Sequence, residues 1–373
     1  MSGEQTVVDE RATRQMVASA RRVVVKVGSS SLASPQGGLD ELALVRLVDA
    51  LAARRVQGRE IVLVTSGAIA AGCEPLGMSR RPTDLAQQQA AAAVGQGLLI
   101  ARYTAAFASH GITVAQVLVT VGDIARRTSY TNALRTFGAL TRLGVTPIVN
   151  ENDTVATREI RFGDNDRLAA LVAEMVRASA LVLLSDVDAL YTAHPDEPGA
   201  TRVPFVAKAA DLTADVHRTG SGVGSGGMRS KIEAARLAAA AGIPVVVAAC
   251  ANAGEALDGG DTGTAFAPSP VKRPRRLLWL ADASVAQGRL QIDQGAVNAL
   301  TGGSASLLAA GVVGVEGIFE AGDPVDVLAP DGHVVARGIV GSSSVELAAS
   351  LGQRFGPEVI HRDDMVLMKK ARQ

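Results

Sequence analysis

The sequence predicts an α/β chain: a mainly parallel sheet covered by helices on both faces, followed by a small, mostly β barrel. Three observations carry this prediction. From Arg21 to about Ala253, short apolar runs rich in β-branched residues alternate with long Ala/Leu-rich segments, the pattern of strands buried on both faces and separated by helices. The polar stretches of this region follow the strand-like runs, at the carboxyl edge where open α/β sheets bind ligands. Between "DTGTAFAPSP" and "VKRPRR" the composition turns to Pro, Gly and basic residues, and the segments beyond are short, with turn residues at the roughly 8–12-residue spacing of a small all-β unit.

Taken in order, the strand "VVVKVG" is followed by a helix over Leu39–Gln57, the strand "EIVLVTSG", a helix over Leu85–Ser109 and the strand "GITVAQVLVT". Then come a helix over Tyr130–Leu143, "VTPIVN", a helix over Arg167–Ser179, "ALVLLSDV", a helix over Met228–Ala241 and "IPVVVAA". The segments "GRLQIDQGAVNAL", "VVGVEGIFEAGDPVDVLAP" and "HVVARGIVGSSSVEL" supply the barrel and its short helices. The expected division is 20–260 for the first domain, 261–275 for a linker and 276–364 for the second domain.

Bulk composition removes several function classes. The 373 residues carry 37 basic and 37 acidic side chains, so no overall polycation points to nucleic acid or a membrane surface. Cys73 and Cys250 stand far apart without Cys or His at ligand spacing, and the five histidines are scattered; both thiols read as buried and reduced, and no zinc site is expected. The N-terminal "MSGEQTVVDERATRQM" has no apolar stretch after its charges, so neither a signal peptide nor a membrane span is expected there and the expected location is cytoplasmic.

The stretch "NENDTVATREIRFGDNDRLAA" places Glu151, Asp153, Asn165, Asp164 and Asp166 between a strand end and a helix start. Acids and amides there ordinarily cap the helix, but a cap needs one such residue. A metal site, a site for an amine-bearing substrate and a general acid/base pair all remain open on these residues. In "VVVKVGSSSL", Lys26 sits inside an apolar run, which is costly unless an anion or carboxylate meets its ammonium or the chain snorkels to solvent. The Gly/Ser turn after it favours phosphate, although no Walker A loop is present. The second glycine-rich loop, "TGSGVGSGGMRSKIEAA", opens a helix and places Lys231 in its first turns, where free N–H groups and the helix dipole attract anions. Two lysines at one phosphate site suit phosphoryl transfer, which rests on positioning and charge neutralisation. "VTSGAIAAG" and "LLSDVDALYT" put Ser66 and Ser185–Asp186 after two further strands.

The order "VVVKVGSSSL", "VTSGAIAAG", "QQAAAAVGQG", "NENDTV", "FGDNDRLAA", "LLSDVDALYT", "GSGGMRSKIEAA" closely resembles the bacterial glutamate kinases of the amino acid kinase family, over about Arg21–Ala253. The segment "GRLQIDQGAVNALTGGSASLLAAGVVGVEGIF" resembles the PUA domain that many bacterial members carry. The resemblance implies the amino acid kinase fold with a PUA-like C-terminal barrel, and ATP-dependent phosphorylation of the L-glutamate 5-carboxylate to L-glutamyl 5-phosphate, the first step of proline biosynthesis. As it implies the roles, Lys26 and Lys231 contact the phosphates and Asp166 holds both lysines. Ser66, Asp153 and Asn165 bind glutamate. ATP is bound by Lys26, Ser185, Asp186 and the loop Ser225, Gly226, Gly227, Met228, Arg229, Ser230 and Lys231. Ser185, Ser225 and Ser230 stand where Thr is frequent, which keeps a hydroxyl. On this reading Mg²⁺ arrives with ATP rather than in a protein cage, and Glu151 and Asp164 are caps or outer supports. The implied partners are glutamate, a second copy of the chain, and a glutamyl phosphate reductase as the next enzyme; neither membrane nor RNA is expected.

Overall fold

The structure is a computed structural model that describes residues 8–34, 38–155, 164–193, 195, 197–209, 227–270, 280, 285–302, 305–351 and 358–368. The chain divides into two compact units, Met1–Val121 with Ala133–Lys272, and Gly122–Asn132 with Arg273–Gln373.

Along the chain come α1 (Glu10–Ala18), β1 (Arg22–Val27), α2 (Glu41–Val56), β2 (Glu60–Val64), α3 (Ala68–Cys73), α4 (Leu85–Ala108) and β3 (Val114–Val119). They are followed by α5 (Val121–Ala125), α6 (Arg127–Arg142), β4 (Thr146–Glu151), α7 (Asp164–Met175) and β5 (Ala180–Ser185). A small hairpin of β6 (Leu190–Tyr191) and β7 (Arg202–Val203) leads to β8 (Phe205–Val206), α8 (Met228–Ala240), β9 (Val245–Ala249), α9 (Ala253–Leu257) and β10 (Thr264–Phe266).

The main sheet has eight strands in the order β3-β4-β2-β1-β5-β9-β10-β8. Strands β3 to β9 are parallel, and β10 runs antiparallel to β9. Parallel pairing explains the unbroken apolar runs: β5 is buried at every position and β1 at all but its first, because helices cover both faces. The chain fills the β2 flank of β1 first and then crosses to the β5 flank, with Lys26 opposite Val64 on one side and Leu183 on the other. Such a reversal opens a crevice at the carboxyl ends of the two central strands.

Three features differ from the sequence expectation. α1 precedes the first expected element; Asp9 caps it by accepting from the Ala12 N–H, but its buried face is Thr13, Arg14 and Val17. Arg14 donates to the carbonyls of Gly260 and Thr262 at 2.9 and 2.6 Å, so a polar inner face erases the apolar period. β10 lies within the span 261–275 that composition assigns to a linker, yet Thr264, Ala265 and Phe266 are fully buried; three residues between Gly- and Pro-containing flanks are too few to show a pattern. Third, a helix not expected from the sequence, α3, follows directly on "TSG" at Ala68–Cys73. A Cβ at Gly72 would fall 1.8 Å from the Ala91 carbonyl oxygen, and one at Gly95 1.8 Å from that of Ala68. Only glycines let α3 and α4 cross this closely.

In the second unit, β11 (Gly288–Ile292), β12 (Leu307–Leu308), β13 (Val312–Gly317), β14 (Pro324–Leu328), β15 (Val334–Ile339), β16 (Glu358–Ile360) and β17 (Met365–Leu367) follow in order. Five of them form a mixed sheet, β13-β11-β14-β15-β17, and β12 pairs with β16 in a two-stranded ribbon. Alternating residues such as Leu290, Ile292, Val325 and Val327 point into one core with Phe319, which is the inside-outside pattern of a small β unit.

Candidate functional site

At the carboxyl end of β1, Lys26 Nζ lies 2.6 Å from Asp166 Oδ1. Asp166 sits in the first turn of α7, and its other oxygen, Oδ2, lies 3.3 Å from Nζ of Lys231 in the first turn of α8. Ser230 Oγ donates to the same Oδ2 at 2.6 Å. The Lys26 contact is a charge contact without aligned hydrogen-bond geometry, whereas the Lys231 contact is a hydrogen bond as well. Helices α7 and α8 pack against each other, and α7 also packs on β1, which is how three residues far apart in sequence meet. All three are 5 % exposed or less.

This cluster sets two ammonium groups around one contacting carboxylate. Burial pushes the Lys26 ammonium down, Asp166 pulls it up, and Lys231 lowers it further. Burial alone would raise the Asp166 carboxyl, but the two ammonium groups outweigh it and hold it below the usual carboxylate range. One carboxylate thus contacts two ammonium groups, with Asp186 attracting Lys26 more weakly, and an anionic ligand group suits two ammonium groups held this close together at a buried place. The surroundings suit a phosphate: a Cβ at Gly28 would come within 3.7 Å of Lys26 Nζ, so glycine keeps that space open. Helix α8 starts at Gly227 with no side-chain cap, which leaves backbone N–H donors for a ligand. Ser185, buried, and Asp186, exposed, end β5 next to β1, with Ser185 Oγ donating to Asp186 Oδ1 at 3.0 Å. Ser225 and Gly226 lie outside the described residues.

A second group stands beside the first. Asn165, the residue before Asp166, donates its side-chain amide to Ser66 Oγ at 2.9 Å. Ser66 follows β2, and its neighbour Thr65 is held from below: Thr65 Oγ1 donates to the Ser66 carbonyl, so the buried Tyr103 hydroxyl 2.9 Å away is the donor to Thr65. Asp153 follows β4 and lines a cavity of about 300 Å³ together with Gln96, Gln116, Glu151 and Thr154. Burial pushes the Asp153 carboxyl up to about 6, opposed by Arg81; a carboxylate so poised is met best by a cationic ligand group.

The structure therefore gathers Lys26, Asp166, Ser230 and Lys231 into one contact network and joins Asn165 to Ser66, with Asp153 in a cavity at the carboxyl end of β4, the strand on the far side of β2 from β1. Glu151 ends β4 and lines the cavity rather than capping a helix; the side chain of Asp164 lies outside what is described. Sequence reasoning missed Tyr103, Gln96 and Gln116. Nothing in an Ala-rich helix pattern marks a single polar residue as facing a cavity. Among the described residues no group of three or more His, Cys, Asp or Glu could hold a metal ion, and no helix is long and apolar enough to cross a membrane.

The pattern of the amino acid kinase family matches residues 21–249, and that of the PUA domain matches residues 288–355. A Cutibacterium acnes protein named glutamate 5-kinase is 57% identical over 368 residues, covering 96% of this chain and 94% of its own length. A Streptomyces coelicolor protein of the same name is 56% identical over 368 residues, covering 95% of this chain and 98% of its own. One from Thermobifida fusca is 54% identical over 371 residues, covering 96% of each.

Proposed function

The chain belongs to the amino acid kinase family, and on that premise we propose that it phosphorylates the 5-carboxylate of L-glutamate to L-glutamyl 5-phosphate, the first step of proline biosynthesis. Relatives above 50% identity that span nearly the whole chain carry that name. The observation that carries the reading on the chain itself is the Lys26–Asp166–Lys231 cluster joined through Asn165 to Ser66.

ATP, when bound, supplies the γ-phosphoryl group. Lys26 and Lys231 neutralise the negative charge that spreads over a transferring phosphoryl group, and Asp166 with Ser230 keeps them charged and aimed. Ser185, Asp186 and the segment 225–231, of which Gly227, Met228, Arg229, Ser230 and Lys231 are described, hold the nucleotide. Asp153 meets the glutamate ammonium, and Ser66 and Asn165 orient the substrate. No general base is required, because the attacking carboxylate is ionised at neutral pH. A divalent cation would enter with the nucleotide rather than sit in a protein cage, and would supply further neutralisation of phosphate charge.

The chain acts in the cytoplasm as a homo-oligomer, and a glutamyl phosphate reductase takes its product. The kinase domain, expected at 20–260, runs on through β10, and a separate PUA-like domain, expected at 276–364, follows. That domain is no RNA platform: Arg276–Gln373 holds 8 Lys/Arg and 11 Asp/Glu, a net of 8 − 11 = −3, with three aromatics, of which Phe319 is buried in the core. RNA contacts need positive charge and stacking rings.

The test is coupled ADP release by the purified protein with glutamate, N-acetylglutamate, aspartate and UMP. Release with glutamate and not the others supports the reading; release with another acceptor and none with glutamate overturns it.

A further inference from the structure

The orientation of one cavity side chain is fixed by hydrogen-bond logic alone. The backbone N–H of Glu151 can only donate, and it donates to Asn150 Oδ1 at 2.9 Å. Asn150, 1 % exposed, must therefore turn its Nδ2 outward, and that nitrogen donates to Gln96 Oε1 at 2.7 Å. The amide of Gln96 is thereby locked as acceptor toward Asn150. Its Nε2, with two N–H donors, is left over on a residue that lines the cavity of Asp153, and it has no protein acceptor among the described residues. Gln96 rides on α4, whose close crossing with α3 through Gly72 and Gly95 leaves it little freedom.

The cavity thus offers a carboxylate, Asp153, and a fixed pair of donors, Gln96 Nε2. The other acidic side chain lining it is Glu151. An anionic ligand group can enter such a place only beside a donor. The two features together match the α-end of a free amino acid, ammonium beside Asp153 and α-carboxylate beside Gln96.

We propose that Gln96 is a specificity-determining residue whose side-chain N–H groups bind the α-carboxylate of the amino-acid substrate. The inference rests on the glutamate-phosphorylating reading above and extends it to the part of the substrate remote from the chemistry. Of the other side-chain amides lining the cavity, Gln116 on the edge strand β3 is exposed, and Asn152, whose Oδ1 accepts from Thr154 Oγ1 at 2.6 Å, sits in the loop after β4 rather than on a packed helix.

Gln96→Glu tests this with the fold's own contact preserved. The new carboxylate still accepts from Asn150 Nδ2 and loses only the cavity-facing donors. Two substrates are compared, L-glutamate and L-isoglutamine, which keeps the ammonium and the 5-carboxylate but carries a neutral amide in place of the α-carboxylate. In the wild type, kcat/KM favours glutamate. In Gln96→Glu, KM for glutamate rises on the order of 10- to 100-fold, the range of a charge-assisted hydrogen bond. KM for ATP stays within about twofold, and the preference for glutamate over isoglutamine falls at least about tenfold. Equal losses for both substrates, or an unchanged glutamate KM, overturn the proposal. Should the variant not fold, the wild type decides: equal kcat/KM for the two substrates overturns it, and a clear preference for glutamate supports it. No wild-type turnover of glutamate at all sinks the functional reading and the inference with it, whereas normal turnover with equal losses sinks the inference alone.

Discussion

Asn165 donates its side-chain amide to Ser66 Oγ at 2.9 Å, across 99 residues of sequence. The residue that follows it, Asp166, faces the two lysines instead. The first turn of α7 is therefore shared between the end of β2 and the anion-seeking cluster, so movement of that turn disturbs both. Acidic residues suit this position for a second reason, because they complement the positive end of the helix dipole.

Replacing either lysine by methionine should separate catalysis from stability. Lys26→Met or Lys231→Met removes one of two ammonium groups and leaves a one-to-one pair with Asp166, so the urea midpoint should change little. The expected kcat falls by about 10²-fold or more. A folded Lys231→Met protein with near-normal kcat contradicts the assignment.

Asp166→Ala should act in the opposite way on stability. Two buried ammonium groups lose their counter-charge, which costs about 3–5 kcal/mol. Because Asp166 is held below the usual carboxylate range, its contribution is present above the unfolded pKa of about 3.9 and is lost as pH falls through the lower folded value. Urea denaturation across pH should show the gap between wild type and variant closing below about pH 4. A gap that does not depend on pH argues against an electrostatic role.

Asp153 titrates the other way. Its carboxyl is pushed up to about 6 by burial, so below that pH the free protein holds it protonated, and the stability that goes with the neutral carboxyl is lost as pH rises through about 6. Glutamate binding needs the ionised form. Accordingly kcat/KM for glutamate should fall on acidification below about pH 6, while kcat at saturating glutamate holds to lower pH, because the bound ammonium favours the carboxylate. Asp153→Asn should raise KM for glutamate at pH 7, leave KM for ATP nearly unchanged and erase that acid limb. Collapse of ATP affinity instead would place Asp153 with the lysine cluster.

Gly95→Ala should be felt in the substrate half of the site. The added methyl meets the Ala68 carbonyl oxygen at 1.8 Å, so α3 must move, and α3 begins two residues after Ser66. We expect a loss of about 1–3 kcal/mol or more and a raised KM for glutamate. Gly138→Ala in α6 is the control: nothing lies within 4 Å of that Cβ, and helix propensity predicts a gain of up to about 1 kcal/mol. A Gly95→Ala enzyme with wild-type stability and KM contradicts the close-crossing argument.

Much of this arrangement is legible in the chain before folding. Lys26 betrays itself as a charge in a buried strand, and the run Asn165–Asp166 as too many polar groups for one cap. What stays hidden is set by packing rather than by pattern. α1 hides because Arg14 spends its guanidinium on carbonyls more than two hundred residues away, which no local period records. Gln96 hides because its role follows from which atom of Asn150 faces a backbone N–H. The α3–α4 crossing hides because Gly72 and Gly95 read as ordinary small residues until their helices meet.

The central claim, that the lysine pair braced by Asp166 transfers phosphate to the glutamate 5-carboxylate, is tested most directly by trapping the acyl phosphate. With ATP, glutamate and hydroxylamine, the wild type should form γ-glutamyl hydroxamate, and Lys231→Met should form it at least about 10²-fold more slowly. ADP release without hydroxamate, or hydroxamate formed equally fast by both proteins, would contradict it.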